Sequence, residues 1–241
     1  MQKNTISKNI KSSTINKSNK IGKLIIIEGA DGSGKATQAE LLVDYLRNQK
    51  IRVRYYDFPQ YDKNFFGDMV ARFLRGEFGT HKQISPYLVS LPYALDRATV
   101  AYEMKQWLAK GGWIICNRYV SSHLAHQTAK IADAKERNQF IKWIQRLEYE
   151  ELGVPHEDLV IYLQVPLAIA SKLTLTKSSR KHLGNIKKDI AEQDRRHQKD
   201  AGSMYTILAK RFKHWILIKC IDKKGELLPI ASIHNKVVQS L

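Results

Sequence analysis

The sequence predicts an α/β fold in which helices wrap a five-stranded parallel sheet. From Lys23 onward, short β-like runs alternate with longer helical patterns, as in sheets connected by crossover helices. The strand candidates are continuous apolar runs, which is typical of strands that are buried on both faces. They are Leu24 to Glu28, Ile51 to Asp57, Trp113 to Asn117, Leu159 to Gln164 and Trp215 to Lys219. A length of 241 residues allows one sizeable core of this kind and is too short for two.

The helical patterns between these strands complete the expected alternation. The pair Gly111-Gly112 marks the end of the longest one, because glycine readily ends a helix. Helices are predicted at Lys35 to Gln49, Lys63 to Arg75, Pro86 to Lys110, Val120 to Lys130, Ala134 to Leu152, Pro166 to Leu175, Ile190 to Phe212 and Leu227 to Leu241.

Residues 1–22 differ in composition from the rest of the chain. They are rich in Lys, Ser, Asn and Thr, contain no acidic residue and show no periodic apolar face. We therefore expect a disordered basic tail in front of one domain that spans residues 23–241. No apolar run approaches the roughly 18 residues of a membrane helix, so a soluble protein is expected. Cys116 and Cys220 lack the paired spacing of a disulfide or metal site, which favours a reducing, cytoplasmic compartment.

A glycine-rich segment follows the first strand and opens the first helix, which is the context that a phosphate-binding P-loop requires. Its backbone N–H groups and the helix N-terminus attract phosphate, and a lysine at its end can reach the β- and γ-phosphates of ATP. The predicted ATP-binding residues are Gly29, Ala30, Asp31, Gly32, Ser33, Gly34, Lys35, Ala36 and Thr37.

One position of this loop departs from the usual pattern. The residue after Lys35 is normally Ser or Thr, whose hydroxyl meets Mg²⁺, but here it is Ala36, and Thr37 comes one place later. Asp31 is then a candidate for the metal or for a sugar hydroxyl. The alternative is that Asp31 closes the turn by a hydrogen bond to its own backbone.

Candidate acceptor residues follow the second and third strands and lie in the long helix. Phe58 stands beside Pro59 and could stack on a nucleobase, or it could pack into the core. Arg97 and Arg118 suit a phosphate or a polar base edge, because a guanidinium binds oxyanions with two hydrogen bonds. Each could instead form a salt bridge. Ligands of doubly wound sheets bind at the carboxyl ends of the strands, which favours the binding role.

These motifs, in this order and spacing, resemble those of the thymidylate kinase family of P-loop nucleoside-monophosphate kinases. The resemblance extends from Lys23 to about Lys219. It rests on Gly29 to Gln38, Phe58 to Tyr61, Ala94 to Arg97, Asn117 to Ser122 with Gln127, Glu148 to Asp158, and Asp189 to Asp194.

The resemblance implies an enzyme that transfers the γ-phosphoryl group of ATP to thymidine monophosphate, with Mg²⁺, in a homodimer. Phe58 would stack on thymine, Arg97 would bind the base or phosphate, and Arg118 would hold the acceptor phosphate. Asp31 would lie near the ribose. The substrate-binding set that the resemblance implies is Phe58, Pro59, Tyr61, Arg97, Arg118, Ser122, His123, His126 and Gln127. The catalytic set is Asp31, Lys35, Arg118 and Arg180.

Several residues differ from the family's usual choice. Gln60 stands where many relatives have arginine, and Asn117 replaces an aspartate that normally precedes the arginine. His123 and His126 stand near an asparagine and a tyrosine that commonly contact the nucleoside. These changes leave open a kinase for another deoxynucleoside monophosphate.

The segment from Lys172 to Lys188 contains no acidic residue. Such a run is usually a solvated face, but between two helices at this place it resembles the small basic lid of nucleoside-monophosphate kinases. Arg180 is the first candidate for a phosphate contact, with Lys181, Lys187 and Lys188 behind it.

The formal net charge of +17 is compatible with nucleic acid, anionic lipid or a phosphate-rich small ligand as partner. A catalytically impaired nucleotide- or nucleic-acid-binding relative is therefore an alternative to the kinase. We expect no membrane or nucleic-acid partner, since Phe58, Arg97 and Arg118 together favour a small acceptor.

Overall fold

The computed structural model describes residues 22–175 and 189–241. Within them, five strands form one parallel sheet in the order β2-β3-β1-β4-β5. The strands are β1 Leu24–Gly29, β2 Val53–Asp57, β3 Trp113–Asn117, β4 Leu159–Gln164 and β5 Trp215–Lys219. The helices are α1 Lys35–Asn48, α2 Phe65–Leu74, α3 Pro86–Ala109, α4 Val120–His126, α5 Ala134–Gln145, α6 Leu167–Leu175, α7 Ile190–Gln193, α8 Arg195–Arg211 and α9 Ile230–Gln239. The predicted fold class is confirmed.

Strand β1 lies at the centre of the sheet, and its side chains alternate between two cores. Leu24 and Ile26 pack into one core, with residues of α3, α4, α5 and α8. Ile25 and Ile27 pack into the other, with residues of α1, α6 and α9. Because both faces are covered, every residue of β1 is buried, which explains its continuous apolar sequence.

The carboxyl ends of β1, β2 and β3 meet at one edge of the sheet. The register pairs Ile27 of β1 with Asn117 of β3, and Asp57 of β2 pairs with the same Asn117. The P-loop after β1, the Phe58 segment after β2 and Arg118 after β3 therefore emerge side by side, as ligand sites of such sheets require.

Local hydrogen bonds explain where several helices depart from their predicted bounds. Helix α2 begins two residues later than predicted because the Asn64 side chain accepts from Gly67 N at 2.9 Å and caps it. The single helix expected over Ile190 to Phe212 is interrupted at Asp194, whose side chain caps α8 by accepting from His197 N at 3.0 Å. Helix α9 begins at Ile230, since Leu227 instead bridges to Ile221.

Two more predicted helices change type before they end. The one predicted over Val120 to Lys130 is α4 followed by a separate 3₁₀ turn at Thr128–Lys130. The one predicted over Ala134 to Leu152 is α5 followed by a π-helical turn at Arg146–Glu151. This turn carries Glu148, a fully buried carboxylate.

Candidate active site

The P-loop lies between the end of β1 at Gly29 and the start of α1 at Lys35. Gly32 has a φ of +84°, and a Cβ added there would lie 2.0 Å from the carbonyl oxygen of Ala170 in α6. Only glycine fits this position without displacing the loop or α6. Lys35 Nζ donates to the Ala30 carbonyl oxygen at 2.8 Å, which folds the lysine back over the loop. The loop thus presents its lysine and the helix N-terminus to one space.

That space is a cavity of about 230 Å³ at the carboxyl edge of the sheet. It brings together most of the residues that the sequence predicts for the two substrates. The predicted residues that line it are Asp31, Gly32, Gly34, Lys35, Ala36, Phe58, Pro59, Tyr61, Arg97, Arg118, Ser122, His123, His126 and Gln127.

Four predicted ATP-binding residues do not line the cavity: Gly29, Ala30, Ser33 and Thr37. Thr37 is exposed on the first turn of α1. The predicted lid residues Arg180, Lys181, Lys187 and Lys188 lie outside the described part of the chain.

Asp31 joins the donor side of the cavity to the acceptor side. Its Oδ1 accepts from Arg118 Nη2 and lies 3.6 Å from Lys35 Nζ. Arg118 has a left-handed backbone with φ of 65°, and this turn directs it back toward the P-loop. Burial opposes its charged form, but the Asp31 carboxylate raises the pKa of Arg118 well above its usual range. One carboxylate therefore aligns two cations that can each meet a phosphate.

Arg97 also lines the cavity and forms a buried ion pair there. Its side chain is 2% exposed and bonds both oxygens of Glu148, with Nε at 2.9 Å from Oε2. Burial alone would raise the pKa of Glu148, but Arg97 and His123 lower it to about 2. The guanidinium also lies 2.9 Å from His123 Nδ1. Of the two roles that the sequence allowed for Arg97, the salt bridge is therefore present, and Arg97 also lines the cavity.

His123 and His126 face this space as neutral rings. Burial and then Arg97 lower the pKa of His123 to about 4. Burial and then Arg118 lower the pKa of His126 well below its usual value. The Nε2 atoms of both rings are buried and have no hydrogen-bond partner within the described residues. Such atoms are available to a polar group of a bound ligand.

Phe58 belongs to the core and to the cavity wall at once. Its ring stacks on Tyr56 at 6.0 Å between centroids and lies 5.8 Å from Tyr119. Only 2% of its surface is exposed, yet it lines the cavity together with Tyr93. Phe58 and Tyr93 therefore give the cavity an aromatic part of its wall.

The chain is similar to known proteins over the range that contains these cavity residues. A family model described as thymidylate kinase matches residues 27–227. The thymidylate kinase of Mycobacterium tuberculosis (strain ATCC 25618 / H37Rv) is 32% identical over 207 residues, covering 85% of this chain and 94% of the relative. This chain belongs to the thymidylate kinase family.

Other thymidylate kinases agree with this result. The human enzyme is 28% identical over 151 residues, covering 63% of this chain and 65% of the relative. The solved thymidylate kinase of Candida albicans has a TM-score of 0.67 at 22% identity, covering 91% of this chain and 92% of the other, and shows the same fold. The family resemblance seen in the sequence is confirmed.

Gln60 and Asn117, two residues in which this chain differs from the family's usual pattern, have side-chain hydrogen-bond partners. Gln60 turns away from the cavity, and its Nε2 lies 3.3 Å from the Asp96 carbonyl oxygen and 3.4 Å from its carboxylate. Asn117 Nδ2 donates to Asp57 Oδ1 at 2.8 Å. Gln60 is therefore a structural link between the Phe58 segment and α3.

Sequence reasoning missed several residues that line the cavity. Asp57 and Tyr93 carry the clearest chemistry, and Asp57 had a signal because it ends a strand beside Asn117. Tyr93 had none, since one tyrosine in a long helix has no distinguishing pattern. The others are Phe73, Leu74, His81, Asn117, Tyr119, Thr174, Asp189, Ala191 and Gln198.

Among the helices of the described ranges, none combines the length and apolar character needed to cross a bilayer.

Proposed function

We propose that this protein transfers the γ-phosphoryl group of ATP to thymidine monophosphate and forms the diphosphate, a step toward thymidine triphosphate. The family match over residues 27–227 supports this function. The observation that carries it is the shared cavity, in which Lys35 of the P-loop and Arg118 after β3 meet through Asp31. Two cations held by one carboxylate can align a donor and an acceptor phosphate.

At the donor end, the P-loop amides and the α1 N-terminus bind the phosphates of ATP. Lys35 exchanges its contact with the Ala30 carbonyl oxygen for oxygens of the transferring group. Phosphoryl transfer passes through a loose transition state, so alignment and charge neutralisation supply most of the catalysis. A phosphate monoester is already a nucleophile, and no general base is required.

At the acceptor end, Arg118 binds the phosphate of thymidine monophosphate. The base lies against the aromatic wall of Phe58, and Arg97 meets its polar edge while Glu148 holds the guanidinium in place. The unpartnered Nε2 atoms of His123 and His126 face the nucleoside. Neutral histidines can donate or accept one hydrogen bond each, which suits contact with the nucleoside and not acid catalysis.

The residues near Asn117 fit a magnesium ion. The Oδ1 atom of Asn117 is buried and has no hydrogen-bond partner among the described residues. Asn117 contacts Asp57, and burial raises the pKa of this aspartate. A cation there would partner the amide oxygen and favour the charged carboxylate. Mg²⁺ needs only one or two protein oxygens beside substrate phosphates. Bound there, it would neutralise phosphate charge; Asp57 and Asn117 would hold it, and Asp31 would align the arginine and lysine.

The proposal also includes a lid, a homodimer and a cytoplasmic location, which the sequence predicts. The basic segment with Arg180, Lys181, Lys187 and Lys188 would close over the phosphates as a lid. The exposed apolar residues Phe65, Leu88 and Tyr102 on α2 and α3 support association into a homodimer, measurable by light scattering. A cytoplasmic location agrees with the buried free thiols of the two cysteines.

The test is an ADP-release assay with ATP, Mg²⁺ and a panel of acceptors: dTMP, dUMP, dCMP, dAMP, dGMP and UMP. We expect a clear preference for dTMP, and loss of at least about a hundredfold in kcat/KM with Lys35→Ala or Arg118→Ala. The exposed Arg47→Ala serves as the control and retains wild-type rates. Preference for another acceptor, or unchanged turnover in both variants, would refute the assignment of substrate or of roles.

A further inference from the structure

Glu28 is a buried carboxylate that the reaction described above does not use. It lies near the carboxyl end of β1, immediately before Gly29 of the P-loop, and none of its surface is exposed. A carboxylate placed in a core needs several donors to replace water. Glu28 has them from two other segments, the N-terminal end of α4 with its cap residue Tyr119, and helix α8.

Among the described residues, the groups that bond Glu28 are neutral donors. Its Oε1 accepts from the Tyr119 backbone N at 3.2 Å, from Ser121 Oγ at 2.7 Å and from Ser122 Oγ at 2.8 Å. Its Oε2 accepts from Tyr205 Oη at 2.8 Å and lies 3.0 Å from Ser122 Oγ. No lysine or arginine of the described residues forms an ion pair with it.

The hydroxyl of Ser122 connects this carboxylate to the cavity. A serine hydroxyl has one proton, and both oxygens of Glu28 lie within reach of it. Ser122 Oγ then has only lone pairs left for Arg118, whose Nη1 lies 3.4 Å away. Glu28 therefore makes Ser122 an acceptor toward the guanidinium. Asp31 holds Nη2 of the same guanidinium, so Arg118 is fixed from two sides.

The charge of Glu28 acts in the same direction. Burial opposes the charged form of Arg118, but the carboxylates of Asp31 and Glu28 both raise the pKa of Arg118. The geometry points to Glu28 as a positioning residue: through Ser122 it orients Arg118 toward the acceptor phosphate. This inference rests on the proposed function, in which Arg118 binds that phosphate.

Two neighbouring serines separate positioning from mere core stability. Both donate to Oε1 of Glu28, at 2.7 and 2.8 Å. Ser121 is fully buried and does not line the cavity, whereas Ser122 lines it and contacts Arg118. Ser121→Ala thus removes a hydrogen bond from Glu28 without breaking the connection to Arg118. It is the matched control for Ser122→Ala.

The experiment measures KM for thymidine monophosphate and for ATP, and Kd for each nucleotide by calorimetry. Glu28→Gln keeps the shape but places an amide N–H₂ among donors, so Ser122 must reorient. We expect KM and Kd for thymidine monophosphate to rise about tenfold, with the values for ATP within about twofold of wild type. Ser122→Ala should give the same split, and Ser121→Ala should not.

Coupling to Arg118 decides the outcome. In an Arg118→Ala background, Glu28→Gln should change neither constant further, because the group that it positions is gone. An equal effect in both backgrounds, or a parallel loss for both nucleotides, would show that Glu28 only stabilises the core. If Glu28→Gln does not fold, the same cycle with Ser122→Ala decides the question. Failure of the proposed function looks different: wild type then shows no turnover of thymidine monophosphate.

Discussion

Replacing Glu148 by glutamine should destabilise this protein more than most single substitutions do. The side chains of Arg97 and Glu148 are 2% and 0% exposed, so the variant leaves a buried guanidinium without its counter-charge. Removing one partner of a buried pair typically costs about 3–5 kcal/mol. The pKa of Glu148 shifts in the direction that this cost requires: Arg97 and His123 lower it against the effect of burial, so the folded protein favours the charged carboxylate.

The assay is urea unfolding at pH 7, with thermal unfolding as a second measure. A loss of about 3 kcal/mol should lower the Tm by roughly 6–12 °C in a chain of this size. The control is Glu151→Gln, three residues further on, whose ion pair with Arg146 is more than half exposed on both sides. We expect it to change the free energy of unfolding by less than about 1 kcal/mol.

The result also depends on pH in a defined way. A carboxyl with a depressed pKa stabilises the folded state above its unfolded value of about 4.5, and this contribution disappears as the pH falls toward 2. The difference between wild type and Glu148→Gln should therefore shrink at low pH. Equal unfolding free energies of the two proteins at pH 7 would refute the reasoning. Arg97→Met with Glu148→Leu should recover stability and still bind thymidine monophosphate poorly.

Three further predictions concern the loop, the metal and the histidines. Gly32→Ala should lower the free energy of unfolding by about 2 kcal/mol and weaken ATP binding, because the added Cβ would clash with Ala170. Gly225→Ala is the control: Gly225 has a similar φ of +83° but no neighbour within 4 Å, so the change should cost only about 1 kcal/mol. Equal losses would contradict the clash with Ala170. Asn117→Asp places a second carboxylate beside Asp57, which should strengthen Mg²⁺ binding. In thermal unfolding, the rise in Tm from EDTA to Mg²⁺ should therefore be larger for the variant than for wild type. An equal rise would speak against this metal site. His81, His123 and His197 are buried and have pKa values of about 3 to 4, so they stay neutral below pH 6.5, where histidines of the unfolded chain take up protons. The free energy of unfolding should therefore fall by up to roughly 3 kcal/mol per histidine as the pH drops to 4. Denaturation at several pH values measures how steeply the free energy of unfolding falls with pH. His197→Gln should make this fall smaller, and an unchanged fall would show that the ring is not involved.

The sequence predicted the sheet well because its strands are covered on both faces. Burial demands apolar residues along the whole length of a central strand, and three of the five predicted strands, such as Trp113–Asn117, match the observed bounds at both ends. Helix ends were less predictable. The break at Asp194 depends on a side-chain cap, and its residue type also occurs inside helices.

Much of the site was visible because parallel strands end together. Lys35, Phe58 and Arg118 each follow a strand, and the fold brings them to one cavity. The partner of Arg97 was not visible, because Glu148 is 51 positions away on a different helix. No local pattern encodes such a contact.

The π-helical turn at Arg146–Glu151 makes backbone length a determinant of how Arg97 is held at the cavity wall. A turn of this kind contains one residue more than an α-helical turn, which changes the direction of every side chain that follows it relative to α5. Deleting the exposed Arg146 would rotate Glu148 by roughly 100° about the helix axis and away from Arg97. An engineer who transplants this pocket into another kinase must therefore carry over this turn with its full length, and not only the side chains on the cavity wall.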